Sequence, residues 1–173
     1  MTDIILERRG NFSEDFVRWS LYLVAKGLAV MHSKNVLHRD IKSDNILCRP
    51  SGDVKLADLG FSVFLSEQTQ YRMSQKGTPS WVSPEIARGV QYSKEVDVWS
   101  FGCFAYELVQ AEPPHHSHFQ NGLDALLDAI IKLDVPPVTG NWSPQLKDFI
   151  SKCFIRDPKQ RWTFAQLLGH ELF

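Results

Sequence analysis

The sequence predicts a mainly α-helical domain that carries one small β-hairpin. Three observations support this. Apolar residues recur at helical spacing through 13–33, a stretch apolar nearly all round fills 94–110, and two short apolar runs flank a Pro/Gly-rich turn at 49–53. At 173 residues the chain has the length of one domain. A 43% hydrophobic share against 23% charged residues is enough to build a core, which argues against disorder.

The first long helix takes in 13–33. Val17, Leu21, Val24, Leu28 and Met31 fall at spacings of 4, 3, 4 and 3 and so make one face. Ser13 is its N-cap, and Lys34-Asn35 ends it. The runs Asn45-Ile46-Leu47-Cys48 and Val54-Lys55-Leu56-Ala57 come next, joined by Arg49-Pro50-Ser51-Gly52-Asp53. Antiparallel pairing sets the start of the first strand beside the end of the second. Asn45 and Asp58 therefore emerge at one end of the hairpin.

Residues 58–85 show little periodicity and hold Ser62, Ser66, Thr69, Tyr71, Ser74, Thr78, Ser80 and Ser83. A stretch that long inside a compact domain is usually functional or disordered. The second half is helical. Val96, Val98, Trp99, Phe101, Cys103, Phe104, Tyr106, Leu108 and Val109 mark 94–110 as a buried central helix. An amphipathic stretch follows at 122–132. Ser143-Pro144 opens a helix that Asp157-Pro158 is expected to stop. Thr163 and Gln166 form a capping-box pattern, with Gly169 as terminator.

Composition excludes several classes. Lys+Arg is 19 and Asp+Glu is 20, a net charge of −1, which rules out a nucleic-acid binder held by bulk positive charge and an acidic tail protein. Lys26 and Glu107 interrupt the longest apolar stretches, so no membrane span is expected. The N-terminus lacks the apolar core of a signal peptide. Cys48, Cys103 and Cys153 make no C-x-x-C and no disulfide framework; they read as free, mostly buried thiols of a reducing, cytoplasmic compartment. His115, His116 and His118 lack a fourth ligand for a metal and read as a solvated loop. Trp81, Trp99, Trp142 and Trp162 read as packing residues rather than ligand stackers.

His38-Arg39-Asp40-Ile41-Lys42-Ser43-Asp44-Asn45 is followed, thirteen residues after Asn45, by Asp58-Leu59-Gly60. These segments resemble the catalytic and metal-binding loops of eukaryotic protein kinases. Gly77-Thr78-Pro79-Ser80-Trp81-Val82-Ser83-Pro84-Glu85 resembles the family's peptide-binding segment, and Asp97-Val98-Trp99-Ser100-Phe101-Gly102 the start of its central helix. Arg161 after Asp157-Pro158 resembles its late arginine. The finer pattern is most similar to STE-group serine/threonine kinases of MAP-kinase signalling cascades.

The resemblance implies that 1–173 is the C-terminal, large lobe of a kinase domain. Its catalytic loop is 38–45, its activation segment 58–85 and its helical subdomain 94–173. It implies ATP and Mg2+ as cofactors and a protein substrate with a Ser or Thr acceptor. Asp40 takes or orients the acceptor's proton, and Lys42 stabilises charge on the transferred phosphate. Asn45 and Asp58 offer hard oxygen ligands to Mg2+. Arg39 resembles the arginine that pairs with an activation-segment phosphate, and Ser74, three residues before Gly77, is the implied phosphosite. Thr78 resembles a residue that contacts the catalytic Asp and Lys. Asp97 is expected to accept from catalytic-loop amides, Glu85 and Arg161 to form an ion pair, and His38 to be packed rather than a base.

Leu59 departs from the family's usual Phe; an apolar residue remains and its packing is expected to be kept. Ser83 replaces the usual Ala. The ten glycines are never closer than eight positions, so no glycine-rich phosphate lid is present. Lys26 lies inside the first helix and reads as a solvated residue rather than a strand lysine. A small lobe, or an activator, is therefore expected upstream. Two other readings stay open: a pseudokinase or regulatory fragment that docks substrates without catalysis, and a small-molecule phosphotransferase, against which the 77–85 segment and Arg39 argue.

Overall fold

The computed structural model describes residues 1–9, 11–49, 51–66 and 68–173. Pro50, part of the hairpin turn read from the sequence, lies outside the described residues. Among the described residues the architecture is helical, with two small two-stranded sheets.

Helices α1 (Thr2–Arg8) and α2 (Glu14–Ser33) come first. In α2 the Ser13 hydroxyl accepts from the Phe16 amide at 3.3 Å, as its N-cap position requires. Val17, Leu21, Val24 and Leu28 are all buried on one face, and Lys26 is exposed. Strand β1 (Val36–Leu37) leads into the catalytic loop. Strands β2 (Ile46–Cys48) and β3 (Val54–Leu56) pair antiparallel, Ile46 with Leu56 and Cys48 with Val54, as the turn signal predicts.

Helix α3 (Pro84–Arg88) closes the irregular segment, and α4 (Glu95–Gln110) is the central pillar. Every residue of α4 from Val96 through Val109 is buried, which is why its sequence shows no polar face. Phe101, Phe104, Phe149 and Phe164 join Leu21 and Leu28 in the main core. Gly102 allows α4 to press on α6 (Pro144–Cys153): a Cβ there would stand 2.6 Å from the Cys153 Cβ. A second, smaller cluster of Leu37, Leu65, Val82, Ile86, Tyr92, Val96, Leu126 and Ile130 seats the 58–85 segment on α3, α4 and α5 (Leu123–Lys132). The capping box that opens α7 (Phe164–Leu168) has both halves in place.

The structure departs from the sequence reading in three places. A second sheet pairs β1 with β4 (Val63–Phe64), Val36 with Phe64 and Leu37 with Val63. Two-residue strands are too short to show alternation. Helix α1 is one such short element too, with only Ile5 buried. Helix α6 ends at Cys153 and not at Asp157-Pro158, because the Ile155, Arg156 and Asp157 carbonyls turn to bond the Arg161 side chain and the amides of Gln160 and Arg161. Among the described residues no helix is long and apolar enough to cross a membrane.

Candidate active site

The loop after β1 is hung on one carboxylate. Asp97, fully buried in the first turn of α4, accepts from the backbone amides of His38 and Arg39, each at 2.8 Å, through different oxygens. His32 Nε2 also lies 2.8 Å from Asp97 Oδ2. These bonds hold Arg39 in a left-handed conformation, φ 68°. His38 is packed, as expected. Its Nδ1 accepts from the Asp40 amide at 3.3 Å and its Nε2 faces the Ala57 carbonyl at 3.2 Å. Both ring nitrogens are thereby committed, which leaves no free base.

Asp40, Lys42, Asn45 and Thr78 come together. Asn45 Nδ2 donates to the Asp40 carbonyl at 2.8 Å and to Asp40 Oδ2 at 2.9 Å. Lys42 Nζ stands 3.3 Å from the same Oδ2. Thr78 Oγ1 donates to Asp40 Oδ1 at 2.6 Å and accepts from Lys42 Nζ at 2.7 Å. One threonine thus joins the 77–85 segment to an aspartate and a lysine of the catalytic loop. The β2–β3 ladder extends one bond further, Ala57 N to Asn45 O at 2.8 Å, so Asp58 begins beside Asn45. Asp58 is exposed and left-handed, φ 57°, and one of its oxygens accepts from the Gly60 amide at 3.1 Å. Leu59 corrects an expectation: at 58% exposure it stands outside both hydrophobic clusters of the described residues, and Phe61 is 40% exposed.

Arg39 turns its side chain toward the activation segment. Nε donates to the Phe61 carbonyl at 2.7 Å, and Nη1 to Ser74 Oγ at 2.8 Å and to the Tyr92 hydroxyl at 3.1 Å. The residue is 8% exposed, and among the described residues no carboxylate forms an ion pair with it. Gly77 (φ 123°) passes so close to this loop that a Cβ would sit 2.9 Å from the Arg39 carbonyl oxygen.

Further out, Arg161 and Glu85 form a two-armed buried ion pair at 2.8 and 3.2 Å, and Arg161 also stacks over Trp99. The loop that holds the three histidines corrects a second expectation, because His115 is buried at 6% exposure. Burial, with the nearby His118 and Arg156, lowers its pKa to about 4. Among the described residues no cluster of three or more His, Cys, Asp or Glu is arranged to hold a metal. Cys48, Cys103 and Cys153 are free thiols.

Two site-proximal residues escape the sequence reading. Glu107 is buried on α4 and accepts from Ser43 Oγ at 2.5 Å and from Trp81 Nε1 at 3.2 Å, which ties the catalytic loop to the 77–85 segment. Burial raises its pKa, against the pull of those two bonds. An acid in the apolar second half of α4 was the available signal. The other residue, Tyr92, carried no signal of its own.

A lobe of helices around a catalytic loop, with these motifs in this order, defines the protein-kinase large lobe. Residues 2–173 match the protein kinase domain model, and the chain belongs to that family. It is 40% identical to mouse serine/threonine-protein kinase PAK 4 over 173 residues, which covers 98% of this chain and 28% of that protein. It is 43% identical over 147 residues to Dictyostelium discoideum serine/threonine-protein kinase pakB, covering 84% of this chain and 17% of that one. The mitogen-activated protein kinase kinase kinase YODA of Arabidopsis thaliana is 37% identical over 167 residues, covering 96% and 19%. These relatives agree with the STE-group resemblance. The chain spans less than a third of the length of each of them.

Proposed function

We propose that this chain is the large lobe of a protein serine/threonine kinase, which moves the γ-phosphoryl group of ATP to a Ser or Thr hydroxyl. The observation that carries the reading is the cluster of Asp40, Lys42, Asn45 and Thr78 next to Asp58. Asp40 takes the acceptor's O–H as hydrogen-bond partner and receives its proton while the new O–P bond forms and the bond to the departing ADP breaks. Lys42 lies where charge on the transferred group needs a cation.

The donor set fits Mg2+. Asn45 has its nitrogen committed to Asp40, which leaves its carbonyl oxygen, and Asp58 is an exposed carboxylate with one oxygen tied to Gly60. Two hard oxygens on adjacent turns suit that ion, which supplies charge neutralisation to the phosphates when bound. ATP and the ion also need a second wall, and an upstream small lobe is the part assigned to it.

Regulation extends the proposal. Arg39 is a nearly buried guanidinium with no carboxylate partner among the described residues, and Ser74 Oγ is already bonded to it, so a phosphate on Ser74 has a cation waiting. Thr78, bonded to both Asp40 and Lys42, serves as a positioning residue. The free thiols fit a reducing compartment, and the site of action is read as cytoplasmic.

The test is peptide phosphorylation by the full kinase that carries this lobe. Asp40→Asn abolishes turnover with a smaller effect on nucleotide affinity. Asp58→Asn weakens both, because it removes a charged ligand. Equal turnover by wild type and Asp40→Asn sinks the assignment in favour of a docking module without catalysis.

A further inference from the structure

The geometry points to Tyr92 as a clamp that seats the activation segment at Arg39 before Ser74 carries any phosphate. This rests on the reading of Arg39 and Ser74 given above. Tyr92 is 1% exposed, and its ring is locked in the smaller core with Leu37, Ile86 and Val96. Its hydroxyl is therefore fixed in place. It donates to the Ser74 carbonyl at 2.8 Å, accepts from Arg39 Nη1 at 3.1 Å and lies 3.2 Å from Ser74 Oγ. The two protons of Arg39 Nη1 are divided between Ser74 Oγ and Tyr92.

The same residue grips the segment a second time. The Tyr92 backbone forms an antiparallel bridge with Arg72, with both N–H to carbonyl bonds at 2.9 Å. Residues 72–74 are thus fastened at one end by the backbone of Tyr92 and at the other by its side chain. Tyr71 and Met73 on this stretch are 57% and 60% exposed, so apolar burial does little to hold it. Its order comes mainly from these polar bonds.

A phosphate on Ser74 changes the balance. It brings three acceptor oxygens and roughly two negative charges to Arg39, and charge-assisted bonds of that kind are about twice as strong as neutral ones. The segment is then held by the ion pair, with or without the tyrosine hydroxyl. The clamp matters most in the unmodified protein, where it gives the segment an order that does not wait for phosphorylation.

Hydrogen exchange of the 72–74 stretch, read by mass spectrometry, tests this. Tyr92→Phe keeps the ring and removes the hydroxyl. Four samples are compared: wild type and Tyr92→Phe, each with serine or with phosphoserine installed at position 74. In the serine form the variant exchanges about five- to tenfold faster at the Arg72–Ser74 amides, the scale of one lost hydrogen bond. In the phosphoserine form the difference falls below about twofold. Ser74→Ala, which keeps the carbonyl that Tyr92 holds, stays within about threefold of wild type, and this arm serves if Tyr92→Phe does not fold. No change in the serine form overturns the clamp. So does an equal change in both forms, which is the mark of a general packing loss, or a Ser74→Ala effect above about threefold. Peptide phosphorylation by the full wild-type kinase is measured alongside: its absence overturns the proposed function, while the exchange result still decides the clamp.

Discussion

Replacing Asp97 with alanine tests how the catalytic loop is held. Among the described residues the carboxylate is the only acceptor for the amides of His38 and Arg39, both on buried residues. A buried N–H left without a partner costs about 1–3 kcal/mol, so two cost about 2–6 kcal/mol together. Part of that returns, because Arg39 is held at φ 68°, a conformation worth roughly 1–3 kcal/mol of strain that the freed loop sheds. His32, next to the surface, finds water in place of the carboxylate. The net loss is about 1–3 kcal/mol, against a total stability for a domain of roughly 5–15 kcal/mol. With a urea slope of about 2 kcal/mol per molar, the midpoint falls by about 0.5–1.5 M. Urea titration followed by circular dichroism measures this, and hydrogen exchange at the His38 and Arg39 amides locates it. A midpoint shift under about 0.5 M, with both amides still protected, refutes the reasoning.

Arg161→Met leaves the buried Glu85 carboxylate unpaired and is expected to cost about 3–5 kcal/mol, or roughly 6–20 °C in Tm. The double variant Glu85→Leu/Arg161→Met recovers a large part of that loss in a calorimetric double-mutant cycle; purely additive losses contradict a coupled pair. His115 sets an acid limit. Its folded pKa, about 4, lies below its ordinary 6.5. Between those values the unfolded chain binds a proton that the folded chain refuses. Its contribution is therefore fully present above pH 6.5 and is lost as pH falls toward 4, by up to about 3 kcal/mol. Urea titrations at pH 7.5, 5.5 and 4.5 show this slope in wild type and a flatter one in His115→Gln; parallel slopes argue against the buried neutral histidine.

The long helices were legible because each carries its own evidence. Val17 through Leu28 repeat on one face of α2, α4 is apolar all round, and Ser13, Ser143 and Thr163 sit where caps belong. The β2–β3 hairpin announced itself by two apolar runs and a turn. The candidate site was named by its resemblance to the protein-kinase motifs, and local spacing explains how its members can meet. Asp40, Lys42 and Asn45 lie within six residues, and the hairpin brings Asp58 back to them by a pairing rule.

The sequence by itself therefore determined the helical class and the hairpin, which depend on period, caps and turn residues, and it named the candidate site residues through their resemblance to protein-kinase motifs. The tertiary structure alone decided which partners those residues take. It left Leu59 exposed, buried His115, paired β1 with β4 across an intervening hairpin, and set Glu107 and Tyr92 against the loops. The Asp97 bonds cross 58 and 59 positions and the Arg39–Tyr92 bond crosses 53. No local pattern encodes such a contact. It forms because packing two cores side by side leaves only a few buried acceptors near each buried donor, and each donor must find one.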